Sequence, residues 1–334
     1  MTATRAEFVT VRPDSAIPHR TLELGRVQFI QQQFADVLAS GGSSLAGSGT
    51  ERIYWIHDRL FQDGWSVEAV RATLLGVQGN LRIIAVTSGK GGVGKTTLSV
   101  NLATAIARQG QRTLVFDGDL GMANVHVFAG VSPRVSILDV VDRRIAMSEA
   151  ITHGPHGADY ICGASGVSRL AELDHRILDD LGRALIQAAN GYQVLLIDTG
   201  AGIGPATMQL LGLAHEIIVV ATPNLAATLD AYGMIKCIHE RNFSGQVHLL
   251  INLAEDTSAA HAAFNRISGC AQQFLKRPVH RLGVLFRDGQ VEDANQARTP
   301  LVLRDPSHAA AEHISQIAAH LAASREPAHT TSAA

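Results

Sequence analysis

From Leu81 onward the chain repeats one texture. LRIIAVT, RTLVF, DYIC, QVLLI, EIIVVAT, QVHLLIN and RLGVL are short, near-continuous apolar runs rich in Val, Ile and Leu. Runs that are apolar at nearly every residue, and not only at alternate ones, suit strands buried on both faces of a sheet. Between them lie longer stretches with apolar residues at helical spacing, such as Lys95–Arg108, Leu173–Ala189 and Ala226–Arg241. Strands alternating with helices require right-handed crossovers onto a parallel sheet. The expected fold is α/β: a doubly wound, mostly parallel sheet, with a small helical N-terminal extension.

Two Gly-rich breaks, GGSSLAGSGT at 41–50 and GVQGN at 76–80, separate the first eighty residues from this pattern. We expect residues 1–80 to form an extension in which a flexible linker precedes a helical hairpin at about 51–76, residues 81–325 to form the α/β domain, and 326–334 to be a disordered tail. The hairpin would join ERIYWIHDRLFQ, through a DG turn, to SVEAVRATLLG, with Ser66 as N-cap beside Trp65. WSVEAVRATL is similar to the second half of a MerR-type DNA-binding unit. Its basic residues are few (Arg52, Arg59 and Arg71), which favours a structural or protein-docking role over DNA contact.

Composition closes several other routes. No apolar run approaches the roughly 18–20 residues of a membrane span, and the first twenty residues lack a secretory h-region. Cys162, Cys237 and Cys270 form no metal or disulfide pattern, and the fifteen histidines show no ligand spacing, so they read as surface or ordinary core residues in a cytoplasmic protein. A net charge of −2 gives no bulk electrostatic case for nucleic acid.

Immediately after the first strand comes SGKGGVGKTT, residues 88–97. Gly89 to Thr96 satisfy G-x-x-x-x-G-K-[ST]. In this motif Gly89, Gly91, Gly92, Val93 and Gly94 turn backbone N–H groups toward phosphate oxygens. Lys95 neutralises the β and γ phosphates, the Thr96 hydroxyl ligates Mg²⁺, and Thr97 continues into the helix whose N-terminus faces the anion. Lys90 is left over. A second ammonium in the same pocket would need its own anion to offset desolvation, so Lys90 is expected to reach elsewhere.

The box KGGxGK[ST] resembles the deviant Walker A motif of the MinD/ParA family of P-loop ATPases, and the likeness covers roughly residues 81–322. It implies ATP and Mg²⁺ as ligands and an ATP-driven homodimer in which Lys90 crosses to the partner's nucleotide, as an arginine finger does in trans. In VFDGDLGMANVHVFAG it implies that Asp119 positions the attacking water and that Asp117 belongs to the Mg²⁺ and water surroundings. In LLIDTGAGIG it makes Asp198 the Walker B carboxylate, with Gly200 and Gly202 in a mobile switch loop. Asn252, after QVHLLIN, takes the place of the adenine-contacting asparagine, and Asp288 matches a nucleotide-side position. Catalysis on this view rests on Lys90, Lys95 and Asp119.

Within the family, DLGMANVHVFAG, CGASGVSRLAEL and LLIDTGAGIGPATMQLLGLAHEIIVVATPNLAATLDAYGMIK resemble the FlhG (FleN/YlxH) subgroup, which regulates flagellar number and placement. The resemblance implies an FlhF-like GTPase or a flagellar transcriptional activator as partner, and recruitment through that partner to the cell pole or the inner membrane face. Two departures stand out: Phe286 occupies a position where relatives have proline, and the Asp-Gln-Ala-x-x-Leu-Arg string of many FlhG relatives is missing. The C-terminal SHAAAEHISQIAAHLAASR places Ile314, Ile317, Ala318 and Leu321 at helical spacing, which reads as a helix packed on the core and not as MinD's membrane-lying helix. The alternative reading is a ParA-like partitioning or cargo-positioning ATPase that binds nonspecific DNA as an ATP dimer. A cobyrinic-acid or dethiobiotin type ligase is a weaker third, with no substrate motif to support it.

Overall fold

A computed structural model describes residues 81–323, so the expected linker, hairpin and disordered tail lie outside the described residues. Its strands are β1 (Arg82–Ser88), β2 (Thr113–Gly118), β3 (Ile151–His153), β4 (Ala158–Ile161), β5 (Val194–Ala201), β6 (Glu216–Ala221), β7 (Gln246–Ala254) and β8 (His280–Phe286). They form one sheet in the order β3-β4-β2-β5-β1-β6-β7-β8. Every pairing is parallel except β3–β4. All seven apolar runs became strands, and the central ones are buried almost throughout, as near-continuous apolar runs demand.

The helices are α1 (Lys95–Arg108), α2 (Val125–Phe128), α3 (Ile137–Val141), α4 (Ser168–Ala171), α5 (His175–Ala188), α6 (Pro205–Leu211), α7 (Leu225–Glu240), α8 (Thr257–Cys270), α9 (Gly289–Gln296), α10 (Leu301–Arg304) and α11 (Ala309–Ala323). The N-terminal ends of α5, α7 and α8 are fixed by side chains: Asp174 accepts from the Ile177 N–H at 2.9 Å, Asn224 from Ala226 at 2.9 Å and Asp256 from Ala259 at 2.8 Å. On one face α1 packs on the sheet beside α11, and its Val100, Leu102, Ala103 and Ile106 are buried in a core that includes Ile314, Ile317, Ala318 and Leu321. These four are the residues whose spacing marked a packed terminal helix. Asn101, also buried, ties α1 to the C-terminal elements by donating to the Thr97 carbonyl at 2.8 Å and accepting from the Val302 N–H at 3.1 Å.

One strand was illegible in the sequence. His153 ends β3, a three-residue antiparallel addition too short to show any periodicity, and its Nδ1 lies 3.0 Å from Asp159 Oδ1. Among the other histidines, His248 is buried and bonds Glu216 at 3.1 Å, while His308 pairs with Asp288 at 3.4 Å. No cluster suited to a metal ion occurs among the described side chains of His, Cys, Asp and Glu.

Candidate active site

Parallel neighbours in a sheet bring their carboxyl ends to one edge, and β2, β5, β1 and β6 are adjacent. The loops after these four strands therefore converge. After β1, Gly92 and Gly94 take positive φ values of 75° and 87°, a region that side chains rarely adopt. Gly94 also leaves no room for a Cβ, which would stand 2.4 Å from Asn252 Nδ2. That amide donates to the Val93 carbonyl at 2.8 Å, so Asn252 grips the loop from the end of β7. Gly89 is equally constrained, because a Cβ there would lie 2.1 Å from the Asp230 carbonyl on α7. Gly94 is also the N-cap of α1 and supplies no side-chain cap, which leaves the first helical N–H groups for an external anion.

Lys95 is buried, and its Nζ lies 3.0 Å from Ser88 Oγ. The same hydroxyl donates to the Lys90 carbonyl at 2.6 Å, so one serine links the two lysines of the loop. Lys90 itself is exposed. Burial pushes the Lys95 pKa down, against the pull of Asp198 and Asp119. On the next strand Asp198 accepts from Thr96 Oγ1 and from Ser99 Oγ, both at 2.7 Å. Asp117 is its register partner across β2 and β5, and it accepts from the Val125 N–H at 3.0 Å and the Asp119 N–H at 3.3 Å. Asp119 accepts from the Met122 N–H at 3.0 Å, and a Cβ built on Gly200 would lie 3.6 Å from its Oδ1, so Asp119 stands between the loop after β2 and the loop after β5.

The fold thus gathers Gly89 through Thr97, Asp117, Asp119, Asp198 and Asn252 around one loop. Asp288 sits apart in its contacts: it caps α9, accepting from the Gln290 N–H at 2.9 Å, and its other oxygen faces His308. Phe286, two residues earlier, is exposed. Sequence reading did not single out Ser88, Ser99 or Asn295, whose amide donates to Thr97 Oγ1 at 3.2 Å. Ser99 was within reach, since it follows Thr96 by one helical turn and so shares its face. Ser88 and Asn295 become visible only once the strand and α9 are placed.

Two buried carboxylates side by side cost stability when both ionise. Burial and the neighbouring Asp198 push Asp117 up to about 7. Burial pushes Asp198 up to about 6, with the Thr96 and Ser99 hydroxyls opposing the shift. Both folded values exceed the ordinary carboxylate value, so the protonated forms favour folding. The associated stability is fully present below about pH 4 and is lost as pH rises through about 7. The nucleotide-free protein is expected to melt about 5–10 °C lower at pH 8 than at pH 5 in differential scanning calorimetry, and Asp117→Asn should flatten that slope.

A glycine loop of this shape, opening onto an uncapped helix, suits the holding of phosphate groups. The class defined by fold and site is that of the P-loop nucleotide hydrolases. Residues 84–326 match the family model described as the CobQ/CobB/MinD/ParA nucleotide binding domain. The chain is 33% identical over 216 residues to the antiactivator FleN of Pseudomonas aeruginosa, covering 65% of this chain and 77% of FleN. It is 31% identical over 255 residues to the flagellum site-determining protein YlxH of Helicobacter pylori, covering 75% and 84%. Among solved structures, MinD of Pyrococcus horikoshii complexed with Mg-ADP superposes with a TM-score of 0.63 at 24% identity, over 72% of this chain and 96% of that one. The chain belongs to the MinD/ParA family of nucleotide-binding ATPases.

Proposed function

We propose that this ATPase is an ATP-dependent dimerisation switch that regulates flagellar number, placement or biosynthesis. The observation that carries the switch is the character of the rim around the site. Lys90 is exposed there, and so are four large apolar residues on the loops and helix starts that follow adjacent strands: Met122 at 63%, Ile203 at 58%, Leu225 at 61% and Leu229 at 60%. Apolar surface clustered around a charged pocket marks a face that meets another protein, and a twofold copy would bring Lys90 to the facing nucleotide. The relative YlxH, named a flagellum site-determining protein, supports the process, and FleN, named an antiactivator, supports a regulatory role.

In this reading Lys95 leaves Ser88 for the β and γ phosphates when ATP enters. The oxygen donors Thr96, Asp117 and Asp198 suit Mg²⁺, a hard cation: Thr96 would ligate it, with the two carboxylates in its water surroundings, and it would supply charge neutralisation at the phosphates. Asp119, between the two switch loops, orients the attacking water, and the partner's Lys90 stabilises the charge that develops on the phosphoryl group. Because the Asn252 NH₂ already holds Val93, its oxygen remains to accept from the exocyclic amine of adenine, with Asp288 on the same nucleotide side.

The partner is a flagellar GTPase of FlhF type or a transcriptional activator, reached from the cytoplasm. No described helix is long and apolar enough to cross a membrane. The DNA-binding, ParA-like alternative is separated by a mobility shift on random duplex: retention only with ATP and steeply weakened by salt would overturn the flagellar reading. In flagellated cells, deletion should change filament number or position and leave plasmid inheritance intact.

Residues 1–80 are proposed to be a partner-docking module, because they precede β1 and hold none of the nucleotide motifs. A chain beginning near Gly79 is expected to bind ATP and dimerise with unchanged affinity, by calorimetric titration and light scattering, yet to lose control of its target in cells. Unfolding of that truncation would make the extension an integral layer of the domain.

A further inference from the structure

Among the described residues β8 ends the sheet, paired with β7 on one side and with no described strand on the other. It also differs from the buried central strands: His280, Arg281 and Phe286 are exposed, and Leu282, Gly283 and Val284 only half-buried. A groove of about 360 Å³ follows it from Arg281 to Phe286, bounded by α11 on one face of the sheet and by the start of α8 on the other. Leu282, Val284, Phe286 and Ile317 give it apolar walls, and Arg281 and His313 lie on its margin. Six residues of edge strand span about 20 Å, the length of a typical strand, and an added strand would sit about 4.8 Å away.

The charge on this edge has one sign. Residues 257–287 contain Arg266, Lys276, Arg277, Arg281 and Arg287 and no Asp or Glu, in a chain with 30 acidic residues and a net charge of −2. On the opposite flank α11 carries one acid, Glu312, which does not line the groove. Arg277 is used internally, donating to the Phe243 carbonyl. Arg281 is not: its guanidinium lies 5.8 Å from the centre of the Phe264 ring, and no described carboxylate pairs with it. A protein edge often carries cations simply to repel other edges. Here the cation lies over an aromatic ring beside an open apolar channel, and no described strand pairs with this edge.

We propose that this edge receives an extended, acid-rich segment of a protein partner, which adds to β8 by main-chain pairing. Alternate apolar side chains of that segment enter the groove, and its carboxylates meet Arg281 and the neighbouring bases. The exposed apolar residues proposed for dimerisation follow β2, β5 and β6, whereas the groove follows β8, so docking and ATP-driven dimerisation use different surfaces.

The test is fluorescence anisotropy of the full chain with a labelled eight-residue peptide alternating valine or threonine with glutamate. Binding is expected to weaken at least tenfold on Arg281→Glu, and at least tenfold when the peptide's glutamates are replaced by lysine. The Arg281→Glu protein should recover affinity for the lysine peptide. Methylating alternate peptide nitrogens on the pairing side should abolish binding with no change to the protein, which isolates the main-chain contribution. Failure of the acidic peptide to bind would leave a merely charge-protected edge and overturn the proposal. So would Arg281-dependent binding of random duplex DNA or phosphatidylserine vesicles in its place, or Arg281-dependent self-association of the nucleotide-free chain.

Discussion

Lys95→Ala is expected to lose ADP affinity by about 10–100-fold, the worth of one charge-assisted contact to phosphate, whereas Lys90→Ala should bind ADP as the parent does and fail afterward. The difference follows from placement. Lys95 is buried in the loop against Ser88, facing the space a phosphate would fill, and Lys90 is exposed on the rim. A cation that acts across an interface contributes nothing to the affinity of an isolated protomer, but its loss removes transition-state stabilisation of the kind that an arginine finger supplies, about 10³-fold or more in turnover. Calorimetric titration with ADP, together with steady-state phosphate release, checks both halves. Equal loss of ADP affinity in the two variants would return Lys90 to its own subunit's pocket.

Asp119→Ala should trap the dimer. Its carboxylate lies between the loops that follow β2 and β5, accepting from the Met122 N–H on one side and standing next to Gly200 on the other. Among the described residues it makes no hydrogen bond to the glycine loop, although its charge acts on Lys95. Removing it is expected to lower turnover by about 10²–10⁴-fold, the usual contribution of a group that handles the attacking water, while ATP binding persists. Light scattering after size exclusion should then give twice the protomer mass with ATP and the protomer mass with ADP. One mass under both conditions would sink the sandwich arrangement.

Much of this was legible because it is local. The seven apolar runs declared their strands through burial on both faces, and SGKGGVGKTT declared its loop because the glycines, the lysine and the hydroxyl act within ten consecutive residues. Ile314, Ile317, Ala318 and Leu321 marked a packed helix by spacing alone, and all four are buried. Asp117 and Asp198 could be named as strand-end carboxylates, but nothing in the linear order says that β5 lies directly between β2 and β1, which is what sets them side by side and makes their ionisation costly.

Tertiary structure alone decided the remainder, since strand order is a permutation that crossovers fix and periodicity does not encode. Ser88 ends an ordinary apolar strand, and only the curl of the loop back over β1 puts its hydroxyl between Lys90 and Lys95. Asn252 reads as a turn former until β7 is set two places from β1, where its amide closes on Val93 and forbids a side chain at Gly94. The acid-free stretch from 257 to 287 was visible as composition. Its meaning came from β8 falling at the end of the described sheet, where an edge that no described strand covers and one sign of charge share a surface.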